Sequence, residues 1–325
     1  MTDVTIDDAS SSARPACRLC GGPALHAMEK NSFSIVRCDR CGFMFAIVPP
    51  TSNTESIYTE DEFFFSREDR NRTRDDSWYE VLWHRKKPFY FSRLRRIGDF
   101  KKPGRMLDIG CAAGYMLDAA RRLGWEIAGV EPSPAMRERA RGELKCMVYE
   151  SLDEAIAAGG RRYECVMMFE VIEHLEDPIA VMRKVRELLV PGGVIALSTP
   201  NCESPRAPAA LPLDIWFAPP AHISYFGART LVSCMRQAGF DELAIEGLEG
   251  FCRVLAGDIM LPRWVTAVLG PMRRGKRMRP HGAIGKLLVK AYAGRLDLYQ
   301  RRTPAGVARS DILEFYARRS DLKPA

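Results

Sequence analysis

No run of about 18 uninterrupted apolar residues exists in the 325-residue chain, so a conventional membrane-spanning helix is excluded. The opening segment, MTDVTIDDASSSARPA, is acidic and holds no apolar stretch, so it is not read as a secretory signal. Without export the chain stays in a reducing compartment, where its ten cysteines are not expected to form a disulfide framework. Cytosol is the expected location, with the inner face of the membrane as an extension of it. Hydrophobic residues at 46% and charged residues at 27% exclude a wholly disordered or collagen-like chain. No internal repeat is present. A chain of about 300 residues buries roughly three quarters of its unfolded surface, enough for one large domain plus a small one.

Excess charge is also missing from most of the sequence. The net +7 is concentrated in residues 250–308, which carry twelve Lys/Arg against Asp258 and Asp297, a balance of +10 that leaves −3 for the remainder. Outside this segment nothing points to a polyanionic partner.

What is present divides the chain. Residues 1–16 read as a polar tail, and 17–50 as a small module with two CxxC pairs, closed by Pro49-Pro50. Residues 51–100 read as a helical linker or cap: 51–76 are polar with an aromatic knot at 63–65, and 77–98 have near-helical apolar spacing despite Pro88. From 101 to 249 short apolar runs (106–109, 127–130, 147–149, 165–169, 194–198) alternate with helical stretches (115–123, 134–141, 152–158, 178–190). Asp177-Pro178 is a helix start and Pro191-Gly192-Gly193 a stop. Such alternation predicts a parallel sheet covered on both faces. A further helix (230–238) and strand (243–247) follow, then the basic insertion 250–308. Residues 309–325 hold ILEFYA (312–317), read as a final edge strand, and a tail.

The first strand–helix turn reads MLDIGCAAG, residues 106–114. Gly110 and Gly114 let the backbone turn sharply and approach a ligand. A dinucleotide fingerprint would need a third glycine, but position 112 is Ala. Asp108 suits an ammonium or sulfonium better than a pyrophosphate. Glu131 ends the second strand, 21 residues after Gly110, placed to accept hydrogen bonds from ribose hydroxyls.

DIGCAAG, GVEPSP, YECVMMFEVIEHLEDP and PGGVIALSTPN, in that order and spacing, resemble the class I S-adenosylmethionine-dependent methyltransferases. The likeness spans roughly residues 100–250 and the last strand. It implies a Rossmann-like, seven-stranded, mostly parallel sheet with an antiparallel hairpin at one edge. It also implies that Asp108, Gly110 and Gly114 line the methionine half of the cofactor. Glu131, followed by Pro132, would hold the ribose, Ser151-Leu152 border the adenine, and Phe169-Glu170 close the floor. Cys111 falls within this cofactor loop, where the family tolerates a small residue, and reads as packing.

Two histidines are candidate bases: His174, directly after the fourth strand, and His222 in PPAHISYF, a loop that should reach the same mouth. The plainer alternative for His174 is a structural tie to a neighbouring carboxylate. Glu170, Glu173 and His174 fall at i, i+3 and i+4, one face of a helical turn. The ubiquinone-pathway O-methyltransferases look similar here, and in them such residues hold a magnesium. Hydrogen-bonding loop residues are the preferred reading of the three.

Cys17-x2-Cys20 and Cys38-x2-Cys41, 17 residues apart, have the spacing of a four-thiolate structural zinc site. Each pair is followed by glycine. Several sugar-modifying methyltransferases resemble this layout. Cys146, Cys165, Cys202, Cys234 and Cys252 lack metal spacing and read as small core residues. Residues 254–302 suit either a solvated lid or a cationic pair of helices on an anionic membrane.

The function expected is methyl transfer to a hydroxyl of a small molecule, sugar, glycan or lipid-linked acceptor. An RNA methyltransferase is the alternative, opposed by FEVIEH standing where an Asn/Asp-Pro-Pro-aromatic string would serve base amines. A non-catalytic zinc-ribbon adaptor is opposed by acids at both cofactor contacts, Asp108 and Glu131.

Overall fold

The computed structural model describes residues 14–49, 76–160, 162–204, 217–248, 307, 310 and 312–321, with the backbone alone for 76–86. The aromatic knot at 63–65, Cys252, and all of the basic insertion except residue 307 lie outside the described residues.

The chain opens with an antiparallel meander, β1 (Ala24–Lys30), β2 (Phe33–Cys38) and β3 (Met44–Ala46). Helix α1 (Asp76–Gly98) continues through Pro88 as one element. Alternation then begins: β4 (Arg105–Ile109), α2 (Tyr115–Arg122), β5 (Glu126–Val130), α3 (Pro134–Leu144), β6 (Met147–Tyr149), α4 (Leu152–Ala157) and β7 (Tyr163–Phe169). A single 3-10 turn, Ile172–His174, precedes α5 (Pro178–Leu188) and β8 (Leu189–Pro200). The tract ends with β9 (Ser224–Tyr225), α6 (Ala228–Gln237), β10 (Phe240–Leu248) and β11 (Ile312–Arg319).

Local chemistry sets several of these boundaries. Ser133 caps α3 by accepting the Met136 amide at 3.4 Å, and Asp177 caps α5 by accepting the Ala180 amide at 2.9 Å. Each is followed by proline at the first helical position, where the missing N–H costs nothing.

The main sheet runs β10-β11-β8-β7-β4-β5-β6. Strands β6, β5, β4, β7 and β8 are parallel, while β11 is antiparallel to both β8 and β10. One correction concerns β11: it is an interior strand, not an edge. Six consecutive residues, Ile312 to Ala317, are buried, because neighbours pair on both sides and helices cover both faces. The charged residue of that buried run, Glu314, is neutralised within the protein and does not face water.

Two apolar layers sandwich the sheet. Leu94 and Ile97 of α1, Leu117 and Ala120 of α2, and Ala140 and Leu144 of α3 form one. Met182 and Val185 of α5 and Leu231 and Met235 of α6 form the other, which also receives Cys17, Leu19, Phe43 and Phe45 from the N-terminal meander. That meander is docked, not tethered. β9, from the loop after β8, hydrogen-bonds to β3 and completes a second sheet, β1-β2-β3-β9.

Candidate active site

The carboxyl ends of parallel strands form the mouth of an open α/β sheet, and the sequence-predicted residues converge there. Beyond Ile109 the chain turns through Gly110 (φ +75°), Ala112 (φ +47°) and Gly114 (φ +84°) into α2. The turn is closely packed. A Cβ on Gly110 would meet Val171 at 2.7 Å, and one on Gly114 would meet Leu144 at 2.6 Å.

Asp108 is buried, and burial, with the like charge of Glu131 behind it, pushes its carboxyl up to about 8 despite Arg93. Glu131 accepts the Ala112 amide at 2.8 Å and the Ser133 amide at 2.9 Å, tying the β4 and β5 loops together. Burial raises its pKa even against those two amides. Pro132 continues the β5 loop, and Ser151 caps α4 beyond β6, accepting the Glu154 amide at 3.1 Å. Leu152 packs half-buried beside it. Cys111 points inward: its Sγ lies against Gly129 of β5, and burial raises the thiol pKa, so only its backbone faces the loop.

Phe169 and Glu170 end β7. Glu170 has φ +57°, a left-handed conformation held by its amide on the Ser198 carbonyl (3.0 Å) and by the Ser198 hydroxyl donating to its carboxylate (2.5 Å). Arg93 of α1 lies behind this pair. Its Nη2 donates to Ser198 Oγ at 3.1 Å, its Nε donates to Glu314 at 2.5 Å, and the guanidinium sits 4.1 Å from the ring centres of both Phe89 and Phe169. Arg96, one turn on, pairs with Glu246 at 2.6 Å. Glu246 and Glu314 are direct cross-strand partners, so two arginines of one helix neutralise a like-charge pair in the sheet. The sequence reading did not single out Arg93, Ser198 or Glu314. The available signal was a carboxylate inside the apolar run ILEFYA.

The left-handed Glu170 also corrects the expected helical face. Glu170, Glu173 and His174 do not converge, because the chain is helical only from Ile172. Among the described residues, the ligand atoms that gather within 4.8 Å are those of Glu173, His174 and His222. The His174 and His222 rings lie 4.9 Å apart. His174 Nδ1 is 2.8 Å from the Ala221 carbonyl, so it carries the hydrogen there. Burial lowers the His174 pKa, although carbonyls of Ala221 and Glu170 oppose it. Glu173 is buried beside the two imidazoles, and burial, then the charge of Glu170, raises its pKa well above the usual carboxylate range.

The four cysteines form a second cluster. Cys17 and Cys41 Sγ are 3.6 Å apart, Cys20 and Cys38 Sγ 3.5 Å, and all four lie within 4.8 Å of one another. A tetrahedral zinc with bonds of about 2.3 Å needs sulfurs roughly 3.8 Å apart, so the set fits that ion. The core faces of Cys165 and Cys234 agree with packing roles, and burial raises both thiols.

The glycine turn, the acid at the end of β5, and a buried Asp108 together fit a ligand bearing an ammonium and a sulfonium. With the sheet order, these features define a class I S-adenosylmethionine-dependent methyltransferase. The chain belongs to the methyltransferase-domain family, whose model matches residues 82–245. Over 159 residues it is 31% identical to a ubiquinone biosynthesis O-methyltransferase of Cereibacter sphaeroides, covering 44% of this chain and 63% of that protein. A namesake from Xanthomonas campestris pv. campestris is 34% identical over 120 residues, covering 35% and 48%. The chain thus spans less than two thirds of the length of these relatives. A structure of phosphoethanolamine N-methyltransferase 2 from Haemonchus contortus, in complex with S-adenosyl-L-methionine, superposes with a TM-score of 0.51 at 12% identity. It covers 91% of this chain and 71% of that one, a likeness of fold.

Proposed function

We propose that the chain moves a methyl group from S-adenosylmethionine to a hydroxyl of a small molecule, sugar, glycan or lipid-linked acceptor. His222 is the base, and Cys17, Cys20, Cys38 and Cys41 hold a structural zinc. The single observation that carries this reading is the meeting of His174 and His222 at the mouth, one from the turn after β7 and one from the loop after β8. The relatives named as ubiquinone biosynthesis O-methyltransferases support oxygen as the methylated atom.

When bound, the cofactor supplies an electrophilic methyl group on a sulfonium. The protein's work is then mainly positioning, a contribution of up to ~7–11 kcal/mol. Asp108 holds the cationic end and Glu131 the ribose, while Gly110 and Gly114 admit the ligand to backbone contact. Phe169 and Glu170 form the floor, stiffened from behind by Arg93 and Ser198. On the acceptor side, His174 is fixed through Ala221 and remains neutral, since burial disfavours its charged form. His222 takes the hydroxyl proton as the oxygen approaches the methyl carbon.

The test measures S-adenosylhomocysteine production with panels of phenols, sugars and lipid-linked hydroxyls. The His222→Ala variant should keep its cofactor affinity and lose about 10²- to 10⁴-fold in turnover. Undiminished turnover in that variant overturns the assignment of the base. Transfer to RNA alone, with binding that weakens steeply with salt, replaces the acceptor class.

A further inference from the structure

The four-cysteine cluster is more than a folding aid at the N-terminus, because its strands are built into the wall that carries His222. Phe45 pairs with Ser224, and Met44 with Tyr225, across β3 and β9. The Ala46 amide donates to the Ile223 carbonyl at 2.9 Å, while the Ile223 amide donates to the Glu173 carbonyl, also at 2.9 Å. Ile223, the residue next to His222, is therefore clamped between the cysteine module and the turn that bears His174. Three further ties act on the same loop. Asn31 donates to the Pro219 carbonyl (2.8 Å), Ser224 Oγ to the Leu175 carbonyl (2.7 Å), and the Tyr225 hydroxyl to the His222 carbonyl (2.7 Å).

The link back to the thiols runs through Arg18, which lies between Cys17 and Cys20. Its Nη2 donates to the Ala46 carbonyl at 3.0 Å and stands 3.6 Å from Glu176, just past the His174 turn. Its guanidinium lies 4.9 Å from the Phe45 ring centre. Phe43, two residues after Cys41, meets Phe226 with ring centres 5.1 Å apart. By contrast, the loops after β4 and β5 are tied to each other and to α3: the Ala112 and Ser133 amides donate to the Glu131 carboxylate, and Arg137 donates to the Glu131 and Pro132 carbonyls.

We propose that the cysteine module is a positioning element for the acceptor side of the site: metal held by Cys17, Cys20, Cys38 and Cys41 fixes His222 through Arg18, β3 and β9, leaving cofactor binding unaffected. The proposal rests on the zinc and His222 assignments above. It makes Arg18 a positioning residue, acting through Ala46 and Ile223.

The full chain is studied with its zinc, after chelation, and after zinc is restored, with metal content measured each time. Two readouts are taken: amide hydrogen exchange of residues 44–46 and 217–227, and S-adenosylhomocysteine affinity by calorimetry. Chelation should speed exchange in both segments by roughly fivefold or more, reversibly, with affinity within about twofold of the starting value. Arg18→Ala and Asn31→Ala, which leave the cysteines intact, should retain zinc and show part of the same acceleration at 217–227. Unchanged exchange at 217–227 after metal release overturns the proposal, and so does loss of S-adenosylhomocysteine binding together with that protection. Failure of His222 as a base would show as undiminished turnover in His222→Ala while these exchange rates still follow zinc, so the two failures are distinguishable.

Discussion

Replacing Arg93 by Met tests whether α1 is locked to the sheet by a buried charge network. Arg93 is 4% exposed and Glu314 is fully buried, so removing the guanidinium takes the counter-charge from a buried carboxylate that keeps the Tyr316 hydroxyl as a donor at 2.9 Å. Breaking a buried pair in this way costs about 3–5 kcal/mol, because the partner keeps its desolvation penalty. The guanidinium also stacks on two rings at 4.1 Å, and Met retains some of that contact but none of the charge. These contributions overlap, so a total near 4 kcal/mol is expected, or roughly 8–16 °C in melting temperature for a core of this size. Urea denaturation and calorimetry would measure it. The double variant Arg93→Met/Glu314→Leu removes both charges and should recover at least half of the loss, since an apolar pair of similar volume replaces a buried ion pair at little cost. Arg93→Lys keeps the charge but not the fork that reaches Glu314 and Ser198 together, and should fall between wild type and Arg93→Met. A loss under about 1 kcal/mol in Arg93→Met, or a double variant no better than the single one, would refute the reasoning.

Asp108 supplies a pH prediction. Its folded pKa, raised to about 8 by burial and by Glu131, means the ligand-free protein holds a proton that the unfolded chain releases near pH 4, so its contribution to stability declines as pH rises between those values. A cationic cofactor favours the carboxylate, so S-adenosylmethionine affinity should climb between about pH 6 and 8, with proton release visible in calorimetry across buffers. Asp108→Asn should weaken binding by roughly 10- to 150-fold and abolish the slope, whereas a slope that persists in the variant would contradict this account. Gly114→Ala should destabilise the fold by about 2 kcal/mol or more, since the left-handed backbone alone costs about 1–2 kcal/mol and the new methyl would meet Leu144 at 2.6 Å. Gly110→Ala carries the same left-handed backbone cost at φ +75°, meets Val171 at 2.7 Å, and should impair cofactor binding as well as stability; equal stability of Gly114→Ala and wild type in thermal denaturation would count against the packing argument.

What could be read from the residues, and what could not, divides along sequence separation. Glycine-bounded apolar runs and Asp-Pro or Ser-Pro caps are local signals, and they placed most strands and helices from 105 to 248 to within about three residues, although β8 begins at Leu189, before the expected run at 194–198, and β9 was not foreseen. The two CxxC pairs are equally local, and their sulfurs do gather. Strand β11 was expected at an edge, but it lies inside the sheet and buries Glu314 within ILEFYA. The charge that neutralises it is 221 positions earlier, on a helix with no mark to announce it. The i, i+3, i+4 spacing of Glu170, Glu173 and His174 predicted one face only by assuming a helix. A single residue at φ +57° breaks that assumption, and the Ser198 contacts that hold it come from the neighbouring strand. His222 shows the same limit at the site itself. Its loop is anchored by a two-residue strand, β9, too short to carry any periodicity, and by β3, about 180 residues upstream. Local pattern therefore reveals the neighbouring loops after β4 and β5, which are proposed to hold the cofactor. The acceptor half is assembled from pairings between distant segments, and those exist only once the chain has closed.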